Sequence, residues 1–177
     1  MNVFNKIGNG IDRFNKKVFQ ISSWAILLLI FTMTYEVVSR YIFNSPTTWS
    51  YEMSYFLSSF FIMMSMAYTL QTKNHVSIDI IYNKFSENKK IILSLIFTIA
   101  FFFPMWTLIS YYMVPQVINS FQTGEKSSYG SWLPVIWPFK LWILVGLLML
   151  LLQGLVEFIR DLHRLIRGGN KYGNDSV

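Results

Sequence analysis

Three charged residues that lie within apolar sequence are the first candidates for chemistry. Glu36 and Arg40 are four residues apart with the acid first, which is the favourable order for an ion pair on one face of a helix. Glu52 follows after the short polar segment Asn44-Ser45-Pro46-Thr47-Thr48. We predict that the three side chains form one cluster, which acts either as a clasp between two helices or as part of an ion or substrate path.

The depth of this cluster favours the clasp. An apolar run begins near Val18, and Glu36 lies about 27 Å further along a helix that rises about 1.5 Å per residue. Transport sites lie near the membrane midplane, often at broken helices, where this chain has apolar or small residues. We therefore expect the cluster, with Trp49 beside it, to shape the outer end of the first two helices.

Other reactive side chains are sparse and scattered. The chain has two histidines and no cysteine, which excludes disulfides and thiolate metal sites. His75 and Asp79 are four residues apart, but they lack the third ligand that a metal site needs. The sequence contains no phosphate-binding glycine loop, nucleophile elbow or zinc-protease motif. It therefore predicts no enzyme active site, no metal and no cofactor.

The candidate residues must be positioned by four apolar segments. The chain has 177 residues, of which 53% are hydrophobic and only 14% are charged, and this composition is too apolar for an ordinary soluble domain. A membrane span needs about 20 apolar residues. Four segments have this length, at about residues 18–42, 49–70, 91–114 and 138–159. The sequence predicts an all-α membrane protein with four transmembrane helices.

The basic residues predict the orientation of these helices. Twelve of the fifteen lie in three segments: before the first span, between the second and third spans, and after the fourth. Because lysine and arginine are retained on the cytoplasmic side, both termini and the middle loop are predicted to be cytoplasmic. The net charge of +6 is therefore explained by the basic residues that determine the membrane topology. The basic residues do not form one continuous patch, so the sequence gives no indication of nucleic-acid binding.

The two ends of the chain differ from the spans. Residues 1–17 carry Ile7, Ile11 and Phe14 on one helical face and basic residues mostly elsewhere. This pattern predicts an amphipathic helix lying on the anionic inner leaflet, with a solvated tail as the alternative. The transmembrane domain covers residues 18–167, since the last helix is expected to continue to about 167 and end at Gly168-Gly169. Residues 168–177 are predicted to be a disordered tail.

Polar and small residues within the spans have packing roles in this interpretation. Ser54, Ser58 and Ser65 recur on one side of the second helix, where they suit close packing within the domain or contact with another subunit. Lys140 lies just inside the fourth span and can extend to the outer surface. Pro104 predicts a kink in the third span.

Several short motifs occur in a specific order along nearly the whole chain. Tyr35-Glu36-Val37-Val38-Ser39-Arg40-Tyr41-Ile42-Phe43 is followed by Trp49 and Glu52, then by His75-Val76-Ser77-Ile78-Asp79, and finally by Pro134, Trp137 and Pro138. This series resembles the small membrane subunit of the tripartite ATP-independent periplasmic (TRAP) transporters. The resemblance implies a bacterial inner-membrane protein that works with a large membrane subunit and a periplasmic substrate-binding protein.

The resemblance further implies sodium-driven import of an organic acid, such as sialic acid or a C4-dicarboxylate. Sialic acid is slightly favoured, although no residue of this chain decides the substrate. The small subunit is expected to brace the scaffold of the large subunit within the bilayer. Its second outer loop, with Glu125, Lys126, Tyr129 and Trp132, is expected to be available to the binding protein.

Three alternatives to this function remain open from the residues. An autonomous, homo-oligomeric transporter or channel would need polar groups along a route through the membrane, where these spans offer mainly serines. A scaffold subunit of another membrane complex would share the same features. An intramembrane enzyme is disfavoured by the missing catalytic groups.

Overall fold

The chain is mainly helical in the parts that the computed structural model describes, which are residues 2–72, 87–128 and 130–172. The helices are α1 (Asn2–Ser22), α2 (Trp24–Tyr41), α3 (Ser50–Gln71), α4 (Glu87–Phe97), α5 (Phe103–Thr123) and α6 (Trp137–Tyr172), with a π-helical turn at Thr98–Phe102 between α4 and α5. Four stretches are long and apolar enough to cross a membrane: Lys6–Tyr41, Ser50–Gln71, Lys89–Thr123 and Trp137–Ile166. The predicted helical class and number of spans are confirmed.

Two helices extend beyond the limits predicted for their spans. The last helix continues through Gly168-Gly169 to Tyr172, because glycine lowers helix stability by about 1 kcal/mol without removing the backbone hydrogen bond. The helix of the third span continues past residue 114, through Pro115, to Thr123. It stops at Gly124, which adopts a left-handed conformation with φ of 61°.

A π-helical turn at Thr98–Phe102 precedes Pro104, where a kink is predicted. Proline has no N–H to donate to the carbonyl group four residues earlier, which here is Ala100. Ala100 lies within the turn Thr98–Phe102, and the α-helix resumes at Phe103. The wider turn thus falls where the proline leaves a carbonyl group without its usual donor.

The four spans form an open row. Helix α2 packs on α3, α3 packs on α6, and α6 packs on α5, while α1 lies against α3 and α6. The α3–α6 contact is very close, since a Cβ atom on Gly146 would lie 2.7 Å from the carbonyl oxygen of Met63. Because helices in a row do not surround a common axis, this arrangement differs from a channel-forming bundle.

The row has two chemically distinct ends. We call residues 42–49 and 124–136 the loop end, and α1 with the last part of α6 the terminal end. Near the loop end, the rings of Phe56 and Phe139 stack at 5.2 Å, and Trp142 meets both edge to face. Towards the terminal end, Met64, Ala67 and Met149 form the buried core. The polar clusters described next lie outside this apolar seam.

Candidate functional site

Glu36 is the centre of a polar cluster at the loop end. Arg40 donates to Glu36 Oε1 from Nε at 2.9 Å and from Nη2 at 2.6 Å. The backbone N–H of Thr47 donates to Glu36 Oε2 at 3.0 Å, and the Thr47 hydroxyl donates to the same oxygen. The carboxylate therefore joins the end of α2 to the connection that leads into α3. Trp49 supports the same corner by stacking on Tyr35 at 5.9 Å.

Glu52 lies apart from this cluster. Its side chain is only 1% exposed, and neither carboxylate oxygen has a hydrogen-bond partner. It lies beneath Gly130 of the second loop, where an added Cβ would be 3.1 Å from Glu52 Oε1. The structure thus brings Glu36 and Arg40 together but does not connect them to Glu52 by any hydrogen bond or ion pair.

The second loop is closed at its base by backbone and side-chain contacts. Ser127 N–H donates to the carbonyl of Pro134 at 2.8 Å, and Ile136 N–H donates to the carbonyl of Glu125 at 2.9 Å. Lys140 Nζ contacts Glu125 Oε2 at 2.5 Å. The lysine that was expected to extend into water thus pairs with the first acid of the loop.

The exposed part of the loop combines charged and large apolar side chains. Lys126 is exposed, and so are Trp132 and Leu133. Leu133 has a φ of 51°, a left-handed conformation that is uncommon for a residue with a branched side chain. Tyr129, His75 and Asp79 lie outside the described residues. Of the predicted loop residues, Lys126 and Trp132 are thus free to meet a partner, whereas Glu125 is already paired.

The ion pair of the loop predicts a pH dependence. The Lys140 ammonium lowers the pKa of Glu125 below its ordinary value of 4.5, chiefly by donating a hydrogen bond to the carboxylate. A carboxyl group with a lowered pKa stabilises the fold fully above its unfolded pKa and loses this effect as the pH falls through the lowered value. The melting temperature of wild type should exceed that of Glu125→Gln by a constant amount above pH about 4.5. Below this pH the difference should shrink, and a difference that grew on acidification would contradict the pairing.

The hydroxyl groups of α3 bond mainly to their own helix. Ser58 donates to the carbonyl of Ser54, and Ser65 donates to the carbonyl of Phe61 at 2.6 Å. The Ser54 hydroxyl is buried without a partner. The small size of these residues remains useful for close packing, but the hydroxyl groups of Ser58 and Ser65 are not used as bridges between helices.

A second polar cluster, at the terminal end, was missed by the sequence analysis. Arg160 pairs with Asp12 at 2.5 Å and with Glu157 at 2.6 Å. Gln153 donates to Asp12 Oδ1 at 3.0 Å and to Glu157 Oε1 at 3.2 Å, and it accepts from Asn15 Nδ2 at 2.8 Å. Five side chains thus join α1 to α6. We call Asp12, Asn15, Gln153, Glu157 and Arg160 the α1–α6 network.

The sequence held one indication of this network. Gln153, Glu157 and Arg160 are spaced by four and three residues, so they share one face of α6 within an otherwise leucine-rich run. Asp12 and Asn15 share a face of α1 in the same way. The two polar faces are separated by more than 130 positions, and the hydrogen bond from Asn15 to Gln153 spans 138 of them. Only the fold shows that they meet.

These features define a class of protein: an integral membrane protein whose four spans form an open row with polar clusters at both ends. The family model of the tripartite ATP-independent periplasmic transporters, DctQ component, matches residues 29–164. The chain belongs to this family. It is therefore a component of a transporter located in the inner membrane, and the family is not one of enzymes. No curated protein sequence matches the chain.

Proposed function

We propose that the chain is the small subunit of a sodium-driven TRAP importer of an organic acid, in which it braces the large membrane subunit. Sialic acid and C4-dicarboxylates are the substrate classes to test, with sialic acid first. A periplasmic binding protein delivers the substrate and meets this subunit at the second loop. Both termini lie in the cytoplasm, so the loop end faces the periplasm.

The arrangement of the spans carries this proposal. The row α2–α3–α6–α5 does not surround a common axis. Residues 18–35, 53–71, 91–123 and 141–156 contain no charged side chain, and the charged clusters lie towards the two ends of the row. A charged substrate and a cation would find no counter-charge in the middle of these spans. The alternative of an autonomous channel or transporter therefore lacks a path, and a supporting role fits the family.

The packing of α1 supports its proposed position on the inner leaflet. An added Cβ on Gly8 would lie 3.3 Å from Val156, and Asn15 bonds to Gln153. The Gly8–Val156 and Asn15–Gln153 contacts are about 10 Å apart along α1 but only about 4.5 Å apart along α6. The two contacts on α6 lie within about one turn of each other. Ile7 and Phe14 remain exposed on the side of α1 away from the network and suit contact with lipid.

Reconstituted uptake tests the proposed function. Proteoliposomes would contain this subunit alone, the large subunit alone, or both, with the binding protein outside and an inward sodium gradient. We expect uptake of organic acid only when both subunits are present, and we expect it to stop when potassium replaces sodium. Uptake by this subunit alone would refute the supporting role, and uptake by the large subunit alone at the full rate would do the same.

The Arg40–Glu36 pair allows the clasp to be distinguished from a substrate path. Arg40 is 55% exposed at its side chain, so its removal should cost no more than about 1 kcal/mol of stability. We expect Arg40→Ala to lower the yield of the complex with the large subunit more than the apparent affinity for substrate. Arg13→Ala, which removes another exposed arginine at the opposite end, serves as the control. A normal yield with weakened substrate affinity would favour the path.

A further inference from the structure

Glu52 differs from the acidic side chains of α1, α2, α6 and the second loop. Five of these side chains are in ion pairs with arginine or lysine: Asp12, Glu36, Glu125, Glu157 and Asp161. Both oxygens of Glu52 lack a hydrogen-bond partner although the residue is 1% exposed. A buried carboxylate without a counter-charge is strongly unfavourable. A basic partner from outside the chain would supply the missing counter-charge.

The geometry around Glu52 indicates where this partner comes from. Glu52 is the third residue of α3, at the loop end of the row. Gly130 of the second loop covers it so closely that an added Cβ would approach Oε1, Cδ and Cγ to 3.1–3.3 Å. The two oxygens make no hydrogen bond to this cover. The second loop therefore covers one side of the carboxylate, and the exposed Lys126 and Trp132 belong to the same loop.

The chemistry of the site favours a basic side chain over a metal ion. The described residues contain no group of three potential metal ligands. A single carboxylate is enough for an ion pair with lysine or arginine, and the fold uses this chemistry at five other carboxylates. A desolvated ion pair at an interface also discriminates between partners, because a partner without the matching charge leaves the acid unpaired.

We propose that Glu52 is the acceptor for a lysine or arginine side chain of the periplasmic binding protein, reached when docking displaces the cover at Gly130. This proposal rests on the proposed function, because it assumes that the loop end faces the periplasm and meets that partner. It assigns the charged contact of docking to Glu52 and not to Glu125, whose carboxylate is already held by Lys140 at 2.5 Å. The exposed loop residues Lys126 and Trp132 then form the surroundings of the contact.

Binding of the binding protein to the two-subunit complex in nanodiscs tests the proposal. Glu52→Gln keeps the shape of the side chain and removes its charge, and we expect it to weaken binding by at least about tenfold. Glu52→Lys should weaken binding further. Glu125→Gln is the matched control, since it neutralises an acid of the same loop end that already has a partner. The dissociation constant of the binding protein from the Glu125→Gln complex should stay within about threefold of the wild-type value. Binding by Glu52→Gln equal to wild type would overturn the proposal.

Two additional measurements separate a docking role from a structural one. The melting temperature of the isolated Glu52→Gln subunit should equal or exceed that of wild type, because the change removes an unpaired buried charge. A lower melting temperature or failure to assemble with the large subunit would indicate a structural role instead. In the wild-type complex, carbodiimide should link Glu52 to a lysine of the docked binding protein. If carbodiimide gives no link, glutamate replacements of the arginines on the binding protein should identify one that is rescued by Glu52→Lys.

These outcomes are distinguishable from failure of the proposed function. If wild-type complex neither binds the binding protein nor supports uptake, the function itself is wrong. If wild type binds and transports but Glu52→Gln binds equally well, only the assignment of Glu52 is wrong.

Discussion

Arg160→Ala is expected to destabilise the isolated subunit by about 2–4 kcal/mol. Arg160 is the sole cation of the α1–α6 network, and it holds Asp12 at 2.5 Å and Glu157 at 2.6 Å. Its removal leaves two largely buried carboxylates with only the amide of Gln153 as a donor. The resulting repulsion should release α1 from α6. Unfolding by denaturant titration in mixed micelles measures the loss of free energy.

Arg164→Ala is the matched control for this prediction. Arg164 lies one turn further along the same helix and pairs with Asp161 at 3.2 Å, but its side chain is 57% exposed. The loss should therefore stay below about 1 kcal/mol. Hydrogen exchange adds a local readout, because α1 should lose protection in Arg160→Ala and keep it in Arg164→Ala. Equal losses in the two variants would show that the network does not hold α1.

Gly146→Ala is expected to destabilise the subunit by about 1–3 kcal/mol, although alanine is the better helix former. The added Cβ would lie 2.7 Å from the carbonyl oxygen and 3.0 Å from the carbonyl carbon of Met63. These are backbone atoms of α3, so no side-chain rotation can relieve the contact, and α3 and α6 must move apart. The change in melting temperature of the subunit in detergent measures the effect.

Gly10→Ala provides the control, since nothing lies within 4 Å of a Cβ added at Gly10 of α1. There the higher helix propensity of alanine acts alone and should stabilise the protein by up to about 1 kcal/mol. Opposite signs for the two glycine-to-alanine changes are the expected result. A stabilising Gly146→Ala would mean that the close approach of α3 and α6 is not required for the fold.

The sequence by itself determined the helical class, the number of spans and one of the ion pairs. Apolar length fixes a span because the bilayer offers no partner for backbone groups outside a helix. The pair of Glu36 and Arg40 was predictable because four residues bring two side chains to one face of the same helix. Both inferences depend on local geometry, and local geometry is what a sequence pattern contains.

Tertiary structure decided which distant side chains meet. The pairing of Glu125 with Lys140, the α1–α6 network and the isolation of Glu52 all depend on how the helices pack and on the conformation of the second loop. The open row likewise follows from close contacts at Gly146 and Gly154, where the missing side chain admits Met63 or Phe102. A single sequence does not reveal which helix packs against each apolar face. Many apolar faces are equally hydrophobic, and only the fit of their shapes in three dimensions distinguishes the correct neighbour.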